Sequence, residues 1–206
     1  MTTPSERRTP EGGSRPDASG GVRDRLLDSA YTAILAGRWG RLRMADIASG
    51  AGVSRQTLYN EFGSKEGLLQ AVVVREADGF LDGVMAIFAD HRSDPVHAVG
   101  EAARWTLASS ADNPLLRAII TGDDEMLPVL TTRAEPLHVA LGERMRAFMV
   151  ENWPSLAERS GDIVEVSLRL TLSYVLLPTD PDQAARRVEL VVRSLLTPTR
   201  ESTGSP

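Results

Sequence analysis

The sequence predicts an all-α protein in two parts, an N-terminal three-helix domain built on a helix-turn-helix and a larger C-terminal helical domain. Three observations predict it. Apolar residues recur at i, i+3, i+4 and i+7 through most of the chain, which is helical spacing. Asp, Asn or Ser, often followed by Pro, and then Gly, punctuate the chain between these stretches as helix starts and stops. No stretch alternates as a strand would, and no internal repeat is found.

Composition narrows the function. A chain of 206 residues has room for a small module and a larger domain with its own core. The absence of Cys excludes disulfides, Cys-based zinc sites and thiol catalysis. No apolar run approaches the roughly 20 residues of a membrane span, and the N-terminus is polar, so a cytoplasmic protein with no membrane partner is expected. The net charge of −5 is unevenly divided. Residues 21–66 carry seven basic and five acidic side chains, net +2, whereas residues 67–206 carry thirteen and twenty, net −7. Contact with phosphates depends on this local charge rather than on the total.

Residues 1–20 are rich in Pro, Gly, Ser, Thr and charge, and are expected to form a disordered tail. Val22 to Arg38 carries Leu26, Leu27, Ala30, Tyr31, Ile34 and Leu35 at helical spacing and forms the supporting helix. Trp39 should pack on the three-helix core with its indole partly exposed, because the ring N–H needs a partner.

Met44 to Leu69 is the stretch most specific in pattern. Met44, Ile47, Ala48 and Ala51 form one apolar stripe, and Gly52 supplies the positive φ of a sharp turn. Ser54 caps a second helix, Arg55 to Phe62, which points Leu58 and Phe62 inward. That leaves Arg55, Gln56, Thr57, Tyr59 and Asn60 on display. Gly63 ends the helix and Ser64 caps the next. Two helices about a tight Gly turn place the second in a DNA major groove. There Arg55 suits guanine, Gln56 or Asn60 adenine, Thr57 a thymine methyl or a phosphate, and Tyr59 a phosphate. Ser54 lies at the same helix start, and Lys65, at the next helix start, suits another phosphate. The competing reading is an ordinary helical hairpin with a solvated polar face.

The run DIASGAGVSRQTLYNEFGSKEGLL resembles the DNA-binding signature of the TetR family of bacterial transcription regulators. Ile-Ala, Ala-Gly-Val-Ser, Thr-Leu-Tyr, Phe-Gly-Ser-Lys and the Leu pair all occur in order. One position departs: Arg43 stands where the family commonly has Thr, which removes a side-chain cap and leaves Arg43 itself to reach a phosphate. The resemblance implies a homodimeric repressor on double-stranded operator DNA, released by a small-molecule effector. An activator, a ligand-independent regulator, or a helical small-molecule binder without specific DNA binding are the alternatives.

The remaining elements follow. Lys65 to about Asp90 is a long helix linking the domains; Gly79 and Gly83 within it are packing or flexibility positions. Asp94-Pro95 opens a helix to about Ser110, and Asn113-Pro114 a short one through Ile120. Asp123 should start another with Met126, Leu127, Val129 and Leu130, disturbed at Pro128. Glu135-Pro136 opens Leu137 to Asn152. Ile163 to Leu177 and Gln183 to Leu196 are apolar on more than one face, which suggests a homodimer through these last two helices. Residues 67–198 thus form the effector-binding and dimerisation domain, with 199–206 a flexible tail.

No nucleophile elbow, phosphate loop or dinucleotide fingerprint occurs, so no enzymatic activity, catalytic residue or cofactor is expected. His91 and His97 flank a helix break, not a ligand spacing, and no metal site is expected. A helical domain of this kind can hold a mainly apolar pocket. Its candidate residues are Met85, Phe88, Trp105, Leu116, Ile120, Met126, Leu130, Met145 and Phe148, a set that equally serves as plain core. Such a lining would favour a hydrophobic or amphipathic effector.

Overall fold

The computed structural model describes residues 21–122 and 124–197, and every regular element among them is helical. The expected tails at 1–20 and 199–206, and the helix start at Asp123, lie outside the described residues. Nine α-helices follow in order: α1 Val22–Leu35, α2 Met44–Gly50, α3 Arg55–Phe62, α4 Lys65–Asp90, α5 Pro95–Ser110, α6 Pro114–Thr121, α7 Glu135–Asn152, α8 Ser160–Leu176 and α9 Pro181–Leu196. The starts obey local chemistry. Asp94, Asn113 and Asp180 each accept the backbone N–H three residues on, with Pro at the first helical position.

Several boundaries differ from expectation. α1 stops at Leu35, because Gly37 takes φ +62° and the Arg38 N–H bonds back to the Ala33 carbonyl. The chain then makes a 3₁₀ turn at Trp39–Arg41. That turn carries Trp39 inward to 2% exposure, so the partly exposed indole is corrected; the Lys65 ammonium sits 5.2 Å from its ring centroid. The helix expected around Met126 to Leu130 is a single 3₁₀ turn, Leu127–Leu130. Pro128 cannot donate within a helix, and its carbonyl instead accepts from Thr131 and Arg133. A further 3₁₀ segment, Pro154–Arg159, leads directly into α8 at Ser160. Trp153, to which the periodicity assigned no role, is 5% exposed and donates its indole N–H to the Arg92 carbonyl at 2.8 Å.

The buried side chains form two clusters. One joins α1, α2 and α3 to the start of α4, to α6 and to the 127–130 turn, through Leu26, Ile47, Leu58, Leu68, Ile119 and Leu130 among others. The other fills the far end, where Phe88, Phe148 and Trp153 meet with ring centroids 5.4 to 5.7 Å apart. Close helix approaches depend on glycine. A Cβ on Gly83 would fall 2.2 Å from the Trp105 ring, so this position serves packing, whereas at Gly79 nothing lies within 4 Å.

Candidate nucleic-acid interface and ligand cavity

The turn between α2 and α3 forms as its residue types require. Met44, Ile47, Ala48 and Ala51 are buried, and Gly52 adopts φ +67°. Ser54 Oγ accepts the Thr57 backbone N–H at 3.0 Å and bonds the Thr57 hydroxyl at 2.8 Å. Leu58 is fully buried beneath the helix, while Phe62 is half-buried under the Arg23 guanidinium, 4.7 Å from its ring centroid. The outer face carries Arg55, Gln56 and Asn60 exposed, with Thr57 and Tyr59 half-exposed. These side chains pair along the helix: Gln56 Nε2 donates to Asn60 Oδ1 at 2.8 Å, and Arg55 reaches the Tyr59 hydroxyl at 3.4 Å. All such bonds are exposed, so a base edge or phosphate can replace either partner at little cost.

Arg43 precedes α2 with no side-chain cap; instead its backbone N–H donates to Asp46 at 3.0 Å. The Arg43 side chain is 85% exposed, 3.6 Å from the same carboxylate. Lys65 opens α4, where Ser64 accepts the Gly67 N–H at 3.0 Å. It lies 3.9 Å from Glu125, and the next residue, Glu66, pairs with Arg133 at 2.7 Å. A Cβ on Gly67 would fall 2.3 Å from the Phe62 carbonyl oxygen, so glycine allows α4 to start tight against the end of α3.

Behind this module lies a cavity of about 170 Å³ among α4, α5, α6, α7 and α8. Phe80, Val84, Val99, Leu141, Leu168 and Val175 characterise its apolar wall. Of the nine pocket residues expected from the sequence, Leu116, Leu130 and Met145 line it. The other six lie elsewhere. Phe88 and Phe148 belong to the far aromatic cluster, with Met85 packed against it. Trp105 covers Gly83, Met126 is buried in the first cluster, and Ile120 is exposed. Periodicity identified which faces turn inward; it held no information on which inward residues border a void.

The polar lining escaped the sequence reading altogether. Thr106 and Ser110 bond back to helix carbonyls at 2.7 and 3.0 Å, and Asn113 caps α6. His138 Nε2 and Ser167 Oγ are buried without a hydrogen-bond partner. Burial pushes the His138 pKa down, the Arg169 charge lowers it further, and Glu165 opposes. At the opposite end of α5, the fold brings His91 and His97 edge to face with centroids 5.2 Å apart, although the helix break separates them in sequence. His97 pairs with Glu189 at 3.0 Å, a bond that raises its pKa. Among the described residues no three His, Asp or Glu side chains gather as a metal site, and no helix is long and apolar enough to cross a membrane.

Residues 26–72 match the family profile of bacterial regulatory proteins of the tetR family, and residues 94–194 that of the bacterial tetracyclin repressor C-terminal domain. Over 186 residues the chain is 31% identical to the HTH-type transcriptional regulator AlkX of Mycobacterium tuberculosis (strain ATCC 25618 / H37Rv), spanning 89% of this chain and 87% of that protein. It is similar in structure to the TetR family repressor AlkX from Dietzia sp. strain DQ12-45-1b, implicated in biodegradation of n-alkanes. The TM-score is 0.68 at 30% identity, over 83% of this chain and 96% of that one. Thermus thermophilus FadR, in complex with lauroyl-CoA, matches with a TM-score of 0.58 at 18% identity, over 89% and 99%, and shows a shared fold only.

Proposed function

The chain belongs to the TetR family of DNA-binding transcription regulators, and from that premise we propose that it is a dimeric repressor released from its operator by a small, mainly apolar ligand. One observation carries the ligand coupling. Cavity-wall residues Val73, Leu115, Ile119, Leu130 and Leu137 belong to the same buried cluster as Leu26, Ile47 and Leu58 of the helix-turn-helix. The cavity therefore has no boundary of its own on that side: a ligand that repacks its wall repacks the support of α3.

The first turn of α4 is the joint. Its Lys65 and Glu66 pair with Glu125 and Arg133, which bracket the turn that presents Leu130 to the cavity. A ligand preferring one arrangement of that turn shifts the DNA-competent fraction by its differential affinity and no more. Dimerisation through α8 and α9 is supported by apolar surface left uncovered in the single chain. Leu177 is 79% and Leu190 65% exposed, and Leu170, Leu172 and Tyr174 are only half-buried. A two-fold dimer would set its α3 helices in successive major grooves, about 34–36 Å or a multiple apart. The apolar wall agrees with the connection of Dietzia AlkX to n-alkane biodegradation.

The direct test is binding to a labelled fragment of the DNA upstream of the protein's own gene, titrated with salt and competitor DNA, then with ligands. Competitor-resistant binding of a dimer, weakened by ligand, is expected. Lys65→Ala should weaken all sequences alike and lower the salt slope by about one. Gln56→Ala should relax sequence preference, at about 1–3 kcal/mol per lost base contact. An unchanged affinity and salt slope in Lys65→Ala would remove the proposed docking of α4.

A further inference from the structure

Resting on the regulator reading above, we infer that the effector is a small neutral molecule, apolar except for one hydroxyl or carbonyl oxygen, which hydrogen-bonds His138 and Ser167. Size comes first. The cavity of about 170 Å³ compares with the roughly 150 Å³ of an apolar engineered cavity that accepts benzene. A ring or a short branched chain fits within that volume.

Chemistry comes next. Among the polar residues on the wall, Thr106 and Ser110 are partnered by helix carbonyls, Asn113 by the Leu116 N–H and Glu76 by Arg75, and Thr171 is half-buried. Two others carry buried polar atoms without a partner. Ser167 is 3% exposed, and neither its hydroxyl nor His138 Nε2 has a partner. Buried polar atoms are satisfied in most native proteins, and one left unpaired is costly, so two orphaned atoms on residues lining one cavity, His138 of α7 and Ser167 of α8, point to a guest that completes them. A ligand oxygen can do so: a serine hydroxyl both gives and accepts, and a neutral imidazole offers one role or the other at Nε2.

Charge then selects among oxygen-bearing guests. No Lys or Arg lines the cavity among the described residues, whereas Glu76 does. Burial and the nearby Arg169 both disfavour a proton on His138, although Glu165 partly offsets this. A carboxylate guest would thus meet a carboxylate on the cavity wall, while Arg169 beside His138 is already paired with Glu165, so its desolvation would go largely uncompensated. An alcohol, phenol or ketone carries no such cost. His138 and Leu168 also border the outer cleft between α7 and α8, so the polar end of the guest lies on that side.

Calorimetric titration of the full-length protein with phenol, benzene and benzoate, three probes built on one ring, tests this without DNA. Phenol is expected to bind about tenfold more tightly than benzene, the worth of one good net hydrogen bond, and more tightly than benzoate. Ser167→Ala should cost phenol about tenfold and leave benzene unchanged. Because it deletes an unpaired hydroxyl, it should not lower the melting temperature of the ligand-free protein. A purely structural Ser167 would give the reverse pattern. His138→Leu provides the second variant with the same expectation for phenol. Benzoate binding tightest, phenol no better than benzene, or phenol affinity unchanged in both variants would each overturn the inference. Operator release by a compound outside this class would also sink it while sparing the regulator reading. Phenol held by His138 and Ser167 without any effect on operator binding would sink the ligand-release reading instead.

Discussion

The helix-turn-helix and the cavity are built on opposite plans. Around the turn and the outer face of α3 the polar contacts span three or four residues: Ser54 to Thr57, Gln56 to Asn60, Arg43 to Asp46 and Ser64 to Gly67, while Arg25 and Ser29 of α1 tie the module together from behind. In the larger domain the corresponding contacts cross the fold, such as Arg144 to Asp78 and Asp82, or His97 to Glu189. Among its described residues, moreover, two buried polar side-chain atoms have no partner. On the proposed reading, the difference teaches that the surface offered to DNA is prepared before ligand or DNA arrives, while the cavity is left to be completed by its ligand. A reader of one fixed target benefits from rigidity, whereas a switch needs a site whose completion changes its energy.

Substitutions can break or sharpen this contrast. The largest effect is expected from Leu58→Ala, which removes a fully buried side chain from under α3. It should cost about 2–5 kcal/mol in chemical denaturation and abolish operator binding. Equal stability in mutant and wild type would mean the module is not a packed unit.

Two glycines of α4 should then respond with opposite signs. Gly67→Ala drives a Cβ against the Phe62 carbonyl, backbone that cannot swing aside. It should cost about 1–3 kcal/mol and weaken DNA binding. Gly79→Ala enters open space on an exposed helical face and should gain up to about 1 kcal/mol. Thermal melts of both variants would expose any error, since a shared sign would contradict the packing described for one of them.

A smaller loss, about 1 kcal/mol, is expected when Ser54→Ala removes the cap of α3. It should appear as faster amide exchange over the first turn of that helix, with the cavity wall unchanged.

The smallest effects are those of pH, and the two histidines oppose each other. Burial holds His138 below its ordinary pKa, so the unfolded chain takes up its proton first. Stability is therefore lost as pH falls through the ordinary histidine range, levelling off below the folded pKa. The Glu189 hydrogen bond holds His97 above its ordinary value. Its contribution is present at lower pH and fades as pH rises through the folded pKa, weakened by solvent at so exposed a site. Melting temperatures between pH 5 and 8 should fall less on the acid side in His138→Leu than in wild type; parallel curves would count against a buried neutral His138.

Local rules made much of this protein legible in its sequence. The extent of α4, the proline-marked starts of α5 and α6, the stripe Met44, Ile47, Ala48 and Ala51, and the positive φ of Gly52 all follow from residues within one helical turn of one another. So does the placement of Arg55, Gln56 and Asn60 on the outer face of α3, because a helix with Leu58 inward leaves them nowhere else to go. What escaped was set by neighbours distant in the chain. Trp39 is buried because a 3₁₀ turn carries it under Lys65. Gly67 and Gly83 are needed because a carbonyl and an indole ring press on them. The cavity exists where five helices fail to fill a shared space, and both His138 of α7 and Ser167 of α8, two residues with no motif around them, line it. Periodicity records which side of a helix avoids water, a property each segment carries alone. A void and an unpaired hydrogen bond are properties of the packing between segments, and only the tertiary structure decides them.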